Sequence, residues 1–435
     1  MTPMMGLLKK IAPLRLAPVS EDTDAAAVIL SKELPFTVHE YESGAECNGW
    51  TVPMKWKAVR AEIRRDGVLV YDGMKHPLGV VGYSTSFHGT VPLAELKKHL
   101  FYHPGLSDSL VYHCDYFYKQ WKRDWGFSVP RTLFDRLEDG EYEIHLETVF
   151  EKGTMKVLDF LLPGERPDTI LLNAHDCHAA QANDGISGVV VGIEAMKRLQ
   201  KQPRRRYSYR LVIAPEHLGT VFYLAGLPEE VHRTFRAGIF LEMLGSDNRF
   251  ALQESFTGKD RIDRAAVNYL RHHHPDYFQD RFRKIVGNDE TVWEAPGYEV
   301  PFLSLSRWPY PEYHSDRDDE RIISEQRLEE AVEVVLGIST IFETDARMKR
   351  RFKGLVALSN PKYELYISTN DPSIRTAVPA EQLRWNYLMD CIIRYFDETM
   401  TVLDIAETHD LDHGQVYRYI RKFEEKGLVS LIPPE

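Results

Sequence analysis

Four stretches of the sequence carry side chains suited to binding a divalent cation. NAHDCH holds His175, Asp176, Cys177 and His178, and AAQANDGISG follows with Asp184. PEHLG adds Glu216 and His217, LEML adds Glu242, and RWPYPEYHSDRDDE adds His314 and Asp316. Two imidazoles with a carboxylate make an ordinary catalytic zinc set. A carboxylate beside a ligand position, here Glu216, is placed to take a proton from a metal-activated water and pass it to a leaving amine. Other chemistries lack their signatures. Ser187 and Gly188 in ANDGISG read as the start of a helix, not as a GxSxG nucleophile elbow. No glycine-rich phosphate loop or dinucleotide fingerprint follows the first strand.

These residues need a scaffold that gathers them. DTILLNAH, from residue 168, is the continuous apolar run of a strand buried on both faces. A helix (SGVVVGIEAMKRLQ), a strand (YSYRLVIAP), a further helix and the strand RAGIFLEML follow. That alternation predicts a doubly wound α/β sheet, whose ligand sites lie beyond the carboxyl ends of the strands. The four chemical segments should therefore converge on one sheet edge. The proline- and aromatic-rich stretch 279–315 reads as rim loops, and SEQRLEEAVEVVLGISTIFETD as a long amphipathic helix. Upstream, a helix is expected at 20–33. Short alternating runs over 36–89 then suggest a small antiparallel module, with turns at Asp66-Gly67 and Asp72-Gly73, and 92–100 reads as a helix. Downstream, helices are expected at 380–396, 402–409 and 413–425, the last opened by a capping box between Asp412 and Gln415. With the β-like GLVSLIPP they describe a winged helix-turn-helix.

The succession resembles the zinc aminopeptidases of the M28 class, which share the bacterial aminopeptidase and glutaminyl-cyclase-like fold. It is more closely similar to bacterial aminopeptidase-like proteins with an inserted β domain and a terminal winged helix, the DUF4910 and DUF2172 type. SGAECNGWTVPMKW, VVGYSTSFHG, YFYKQWKRDWGFSVP, HDCHAAQANDGISG and PEYHSD carry that likeness. The resemblance implies a three-layer α/β fold with a mostly parallel central sheet. Its parts would be 1–35 (helical start), 36–130 (inserted β domain), 131–375 (peptidase-like domain) and 376–435 (winged helix-turn-helix). It also implies one or two zinc ions, with Glu216 as general base. A two-metal scheme puts one ion on His175, Asp184 and Glu242, the other on Asp184, His217 and His314. A one-metal scheme uses His175 or His178 with Asp184 and His314. His217 occupies the position of a family glutamate, and Glu242 that of an aspartate. Cys177 replaces an aspartate that orients the first histidine, and is expected to pack beneath the metal rather than bind it.

The implied activity is an aminopeptidase or amidohydrolase acting on a small peptide or amide. The alternatives are a zinc-binding scaffold or regulator working through the winged helix, and a non-peptidase zinc amidohydrolase or acyl transferase of small-molecule biosynthesis. On the substrate side, Arg307 is a candidate for a carboxylate and Asp289 or Glu290 for a free α-amine. Tyr313 would belong to an aromatic wall with Trp293, Tyr298, Phe302, Trp308 and Tyr310. Bulk properties narrow the partners. At 435 residues two or three domains are expected. The net charge of −11 argues against nucleic acid or anionic lipid. Residues 401–435 carry seven Asp or Glu against four Lys or Arg, so nucleic acid is not expected despite the winged helix. A homo-oligomer through the added domains is a further expectation. The four cysteines form no CxxC pair, which predicts no disulfide framework. No secretory leader or membrane span is expected, and the compartment should be cytoplasmic.

Overall fold

The computed structural model describes residues 2–367 and 380–434. The fold is mixed α/β, built on an eight-stranded sheet. In chain order its strands are β1 (Thr37–Glu42), β2 (Thr154–Leu162), β3 (Thr169–His175), β4 (Ser208–Ala214), β5 (Phe235–Leu241), β6 (Ala251–Gln253), β7 (Phe278–Asp280) and β8 (Phe302–Ser306). Across the sheet they run β1-β2-β4-β3-β5-β8-β6-β7. The inner four, β4, β3, β5 and β8, are mutually parallel, with Leu172 level with Leu211 on one side and Ile239 on the other. Every residue of β3, β4 and β8 is buried, as a parallel strand covered on both faces requires. Because these strands share one direction, the residues after His175, Ala214, Leu241 and Ser306 emerge at one edge.

Close packing fixes the connection that follows β3. The helix Ser187–Gln200 returns the chain toward β4 and buries Val189, Val190, Ile193 and Met196. Its second residue must be glycine: a Cβ on Gly188 would stand 1.9 Å from the Leu241 carbonyl oxygen. Ser187 Oγ donates to the Asn183 carbonyl (2.6 Å) and accepts from Leu244 N (2.8 Å), tying this helix start to the chain after β5.

A second, four-stranded antiparallel sheet consists of Val68–Asp72, Lys55–Arg65, Glu141–Glu151 and Phe87–Pro92, in that spatial order. It has its own core around Ile63, Leu96, Phe127 and Ile144. The strands therefore divide differently from the expected limits of 36–130. Thr37–Glu42 pairs with β2 in the large sheet, while Glu141–Glu151 belongs to the small one. Alternation reveals how a strand faces, not which distant strand it pairs with. Asp66-Gly67 makes the expected hairpin turn, both residues having positive φ. Asp72-Gly73 does not; the Asp72 carboxylate instead caps a short 3₁₀ turn through Met74 N (3.0 Å). The helix expected at 92–100 stops at Leu96 and gives way to a tighter turn.

Two compact units are distinguished: residues 1–257 with 278–332, and residues 258–277 with 333–435. In the second, Arg347–Arg350, Asp397–Thr401 and Val429–Ile432 form an antiparallel sheet beside the helices Val402–Thr408 and His413–Glu425. Asp412 caps the latter helix by accepting from Gln415 N (2.8 Å). The helix expected at 380–396 runs Ala380–Cys391 and tightens into a short turn. Arg261–His273, a helix the sequence reading did not single out, packs in the same unit, where Asn268 Nδ2 donates to the Leu411 carbonyl (3.0 Å). The expected boundary at 375/376 lies outside the described residues. Among those described, no helix is long and apolar enough to cross a membrane, and all four cysteines are free.

Candidate metal centre

β3 delivers His175 to the sheet edge, and the turn after it brings His178 and Asp184 back over the same point. Gly185 makes that reversal with φ +111, where a Cβ would collide with the His175 carbonyl at 2.8 Å. Asp184 is buried, and its two carboxylate oxygens face different partners. Oδ1 lies 3.4 Å from His175 Nε2, while Oδ2 lies 3.3 Å from both His178 Nε2 and His314 Nε2. Glu242, just past β5, brings Oε2 to 3.6 Å from His175 Nε2. The result is two triads sharing one carboxylate: His175, Asp184 and Glu242; and His178, Asp184 and His314.

This donor set fits a divalent cation such as Zn²⁺. His175 Nε2 and Asp184 Oδ2 are buried without a hydrogen-bond partner, a costly arrangement unless an ion satisfies them. Imidazole and carboxylate are the donors zinc takes. Burial resists the charge on Asp184, but His175, His178 and His314 hold its carboxyl well below the usual range. Burial pushes Glu242 up to about 8, which a bound cation would reverse. A third grouping, His175, Cys177 and Glu216, is also within ligand reach. Burial pushes the Cys177 thiol up to about 12, which keeps it protonated in the absence of a cation. Its Sγ sits 3.3 Å from His175 Nδ1, the nitrogen facing away from Asp184.

Residues 6–345 match the family described as a domain of unknown function, DUF4910. The chain belongs to that family. A Clostridium acetobutylicum protein, described as a polysaccharide biosynthesis protein with an aminopeptidase-like domain, is 29% identical over 317 residues, covering 72% of this chain and 71% of its own. A crystal structure of a peptidase-like protein from the same organism matches with a TM-score of 0.81 at 24% identity, over 99% of this chain and 96% of that one. The zinc aminopeptidase of Bacillus subtilis matches with a TM-score of 0.58 at 13% identity, over 78% and 93% of the two chains. These structures share the fold, related to that of the bacterial zinc aminopeptidases.

Within this DUF4910 chain the expected ligands part company at one position. His178, the alternative to His175, joins the second triad beside it, and His217 does not. His217, at φ 55, lies with its ring parallel to that of Trp50, 6.1 Å between centroids, and belongs to neither triad. Its Nδ1 stays 3.4 Å from Glu216. Burial opposes ionisation of Glu216, yet the His217 contact holds its carboxyl below the ordinary value.

Three expected substrate residues point elsewhere. Arg307 is 1% exposed and committed to the Leu244 carbonyl (3.2 Å), the Asn248 carbonyl (2.5 Å) and Glu330 (2.8 Å), over the Phe250 ring. The buried Asp289 accepts from His217 N and from Thr220 Oγ1 (2.5 Å), which fixes the turn after β4. Glu290, also buried, accepts from Asn288 N (2.9 Å) and Gln253 Nε2 (3.0 Å). Tyr313 stacks on His314 at 3.8 Å and lines a cavity of about 520 Å³ with Trp50, Tyr118, Glu216 and Trp308. Trp293 and Phe302 pack in the core under the sheet instead.

Other residues complete the centre without having been anticipated. Asp318 accepts from Asn183 N (2.6 Å) and Asp184 N (3.0 Å) and from the Tyr310 hydroxyl (2.7 Å), clamping the ligand loop. Asn288 donates to Glu242. Tyr112 stacks on His178 at 4.0 Å, meets His314 edge-on at 5.1 Å, and donates its N–H to the His314 carbonyl (2.8 Å). The acidic run DRDDE was a signal for Asp318; Tyr112 had none, because its role depends on a fold contact across the chain.

Proposed function

We propose that this protein is a zinc-dependent amidohydrolase of small-molecule biosynthesis that cleaves an amide by activating water. The shared Asp184 carboxylate carries the proposal: it supports one metal position on His175, Asp184 and Glu242 and a second on His178, Asp184 and His314. Zinc held there would supply Lewis acidity and lower the pKa of a bound water. Glu216, kept ionised beside His217, takes the proton at its carboxylate and returns it to the leaving nitrogen. Trp50, Tyr118, Trp308 and Tyr313 wall the reaction off and orient the substrate. A three-layer peptidase-like core with a winged helix at the end is the finer architecture we assign.

The substrate-pocket chemistry favours a neutral amide over a peptide N-terminus. Among the described residues, Glu216 is the only acidic side chain lining the 520 Å³ cavity, and it is engaged in catalysis. With Asp289 and Glu290 turned inward, no second carboxylate among the described residues lines this cavity to take an α-ammonium. The Clostridium relative's description supports a biosynthetic setting for such a substrate. The test is elemental analysis of the purified protein together with hydrolysis of N-acetyl and aminoacyl p-nitroanilides. Bound zinc and cleavage of the acyl anilide alone are expected, with Glu216→Gln keeping the zinc and losing roughly 10²-fold or more in kcat. Preference for the aminoacyl anilide would restore the aminopeptidase reading; full activity in Glu216→Gln would end the general-base assignment.

A further inference from the structure

A second cavity, of about 530 Å³, lies between the four-stranded sheet and the loop leading into the helix Glu21–Leu30. Its outer end carries Lys57 and Glu21, with side chains 68% and 67% exposed. Its inner end is bounded by the buried Cys177 and His178. Between them Leu16, Leu78, Val80, Val81 and Phe117 supply apolar wall, with His76 and His113 also lining the space. Charges at the lip already pair, Lys55 with Glu151 and with Glu21. Within the wall, the Tyr83 hydroxyl is buried without a hydrogen-bond partner, on a residue held at φ 64. A mostly apolar space of this size, open at its charged lip and holding one unsatisfied donor, has the make-up of a ligand site.

The inner end lies against the metal donors. Cys177 Sγ is 3.3 Å from His175 Nδ1 and 4.0 Å from the Glu216 carboxylate. Tyr112, which also lines this cavity, stacks on His178. The aromatic pocket reaches the same donors from the Glu216 and His314 side. Resting on the amidohydrolase reading, we infer that the second cavity is the acyl chamber: it takes the apolar acyl chain of an N-acyl amide whose amine half occupies the aromatic pocket. Hydrolysis breaks the C–N bond, forms a C–O bond from water, and leaves the proton on the departing amine. The Tyr83 hydroxyl is a donor for an oxygen on the bound group.

Gly82 gives a clean obstruction, since it lines the cavity and an added Cβ meets nothing within 4 Å. Gly82→Leu, and Ala58→Trp from the half-buried strand wall, should fill the chamber without touching the metal donors. Calorimetry with decanoate on the zinc-loaded full chain should show binding, weakened about tenfold or more in both variants. With p-nitroanilides, KM should fall about tenfold or more from acetyl to decanoyl in the wild type. Both variants should lose that dependence and keep the wild-type kcat for the acetyl compound. Equal decanoate affinity in wild type and variants would place the carboxylate on zinc alone and overturn the chamber, as would the absence of chain-length dependence. Decanoate binding that the variants abolish, with no anilide cleaved, would sustain the chamber and remove the hydrolase reading.

Discussion

Asp184 divides its two oxygens between imidazoles from different segments, so neither proposed metal position can form without it. The histidines are distinguished by direction rather than distance along the chain. His178→Ala should lower the zinc content, whereas His217→Ala should leave it at the wild-type level; elemental analysis of the two variants decides this. Equal loss in both would return His217 to the metal. Most of the donor set was legible in the sequence, because His175, Glu242 and the Glu216-His217 pair each directly follow or end a recognisable strand. The choice between His178 and His217 was not. It rests on which side chains the fold gathers around Asp184 and on Trp50, which arrives from a remote part of the chain to stack on His217. Arg307 misled for a related reason: a cation in an aromatic loop looks like a substrate anchor until its carbonyl and Glu330 partners are seen.

At the scale of elements, the start of the helix Ser187–Gln200 is held by contact rather than propensity. Gly188→Ala adds one methyl where the Leu241 carbonyl already stands, and backbone cannot move aside as a side chain can. Overpacking of this kind should cost about 3 kcal/mol. Urea unfolding should show an earlier midpoint and a reduced zinc affinity, since the same turn carries Asp184. An unchanged midpoint would mean that the two elements are less closely apposed. The inner strands were readable as unbroken apolar runs. The small sheet was readable as a set of strands but not as a set of pairs: Glu141–Glu151 joins Lys55–Arg65 across a long stretch of intervening chain. The helix Arg261–His273 is amphipathic enough to be found by its period, with a capping box between Asp260 and Asp263 at its start.

For the whole molecule, each of the two units has a hydrophobic core of its own, and acid should act on the second through His413. Burial pushes this imidazole down to about 4, and neither ring nitrogen has a hydrogen-bond partner. The unfolded chain, titrating near the ordinary 6.5, accepts a proton that the folded unit refuses. Stability is therefore full above pH 6.5, declines as the pH falls from 6.5 to 4, and levels off below; the limit is about 3 kcal/mol. Thermal unfolding of the full chain across that window should show the second unit's transition moving down with acid. His413→Gln should flatten the slope; an identical slope in that variant would assign the proton to another group.

The contact that seats the distal loop has a consequence for biosynthesis. Leu110 N donates to the Asp316 carboxylate across a separation of 206 residues, and Tyr112 meets His314 beside it. At ribosomal rates of about 5–20 residues per second, roughly 10–40 s pass between the emergence of these partners. From the emergence of Asp184 to that of His314, 130 residues later, the nascent chain displays His175, His178 and Asp184 without the distal loop to close over them. Metal acquired early would sit in an open, exchangeable half-site, so the proposed zinc positions would be completed only once His314 has emerged and folded back.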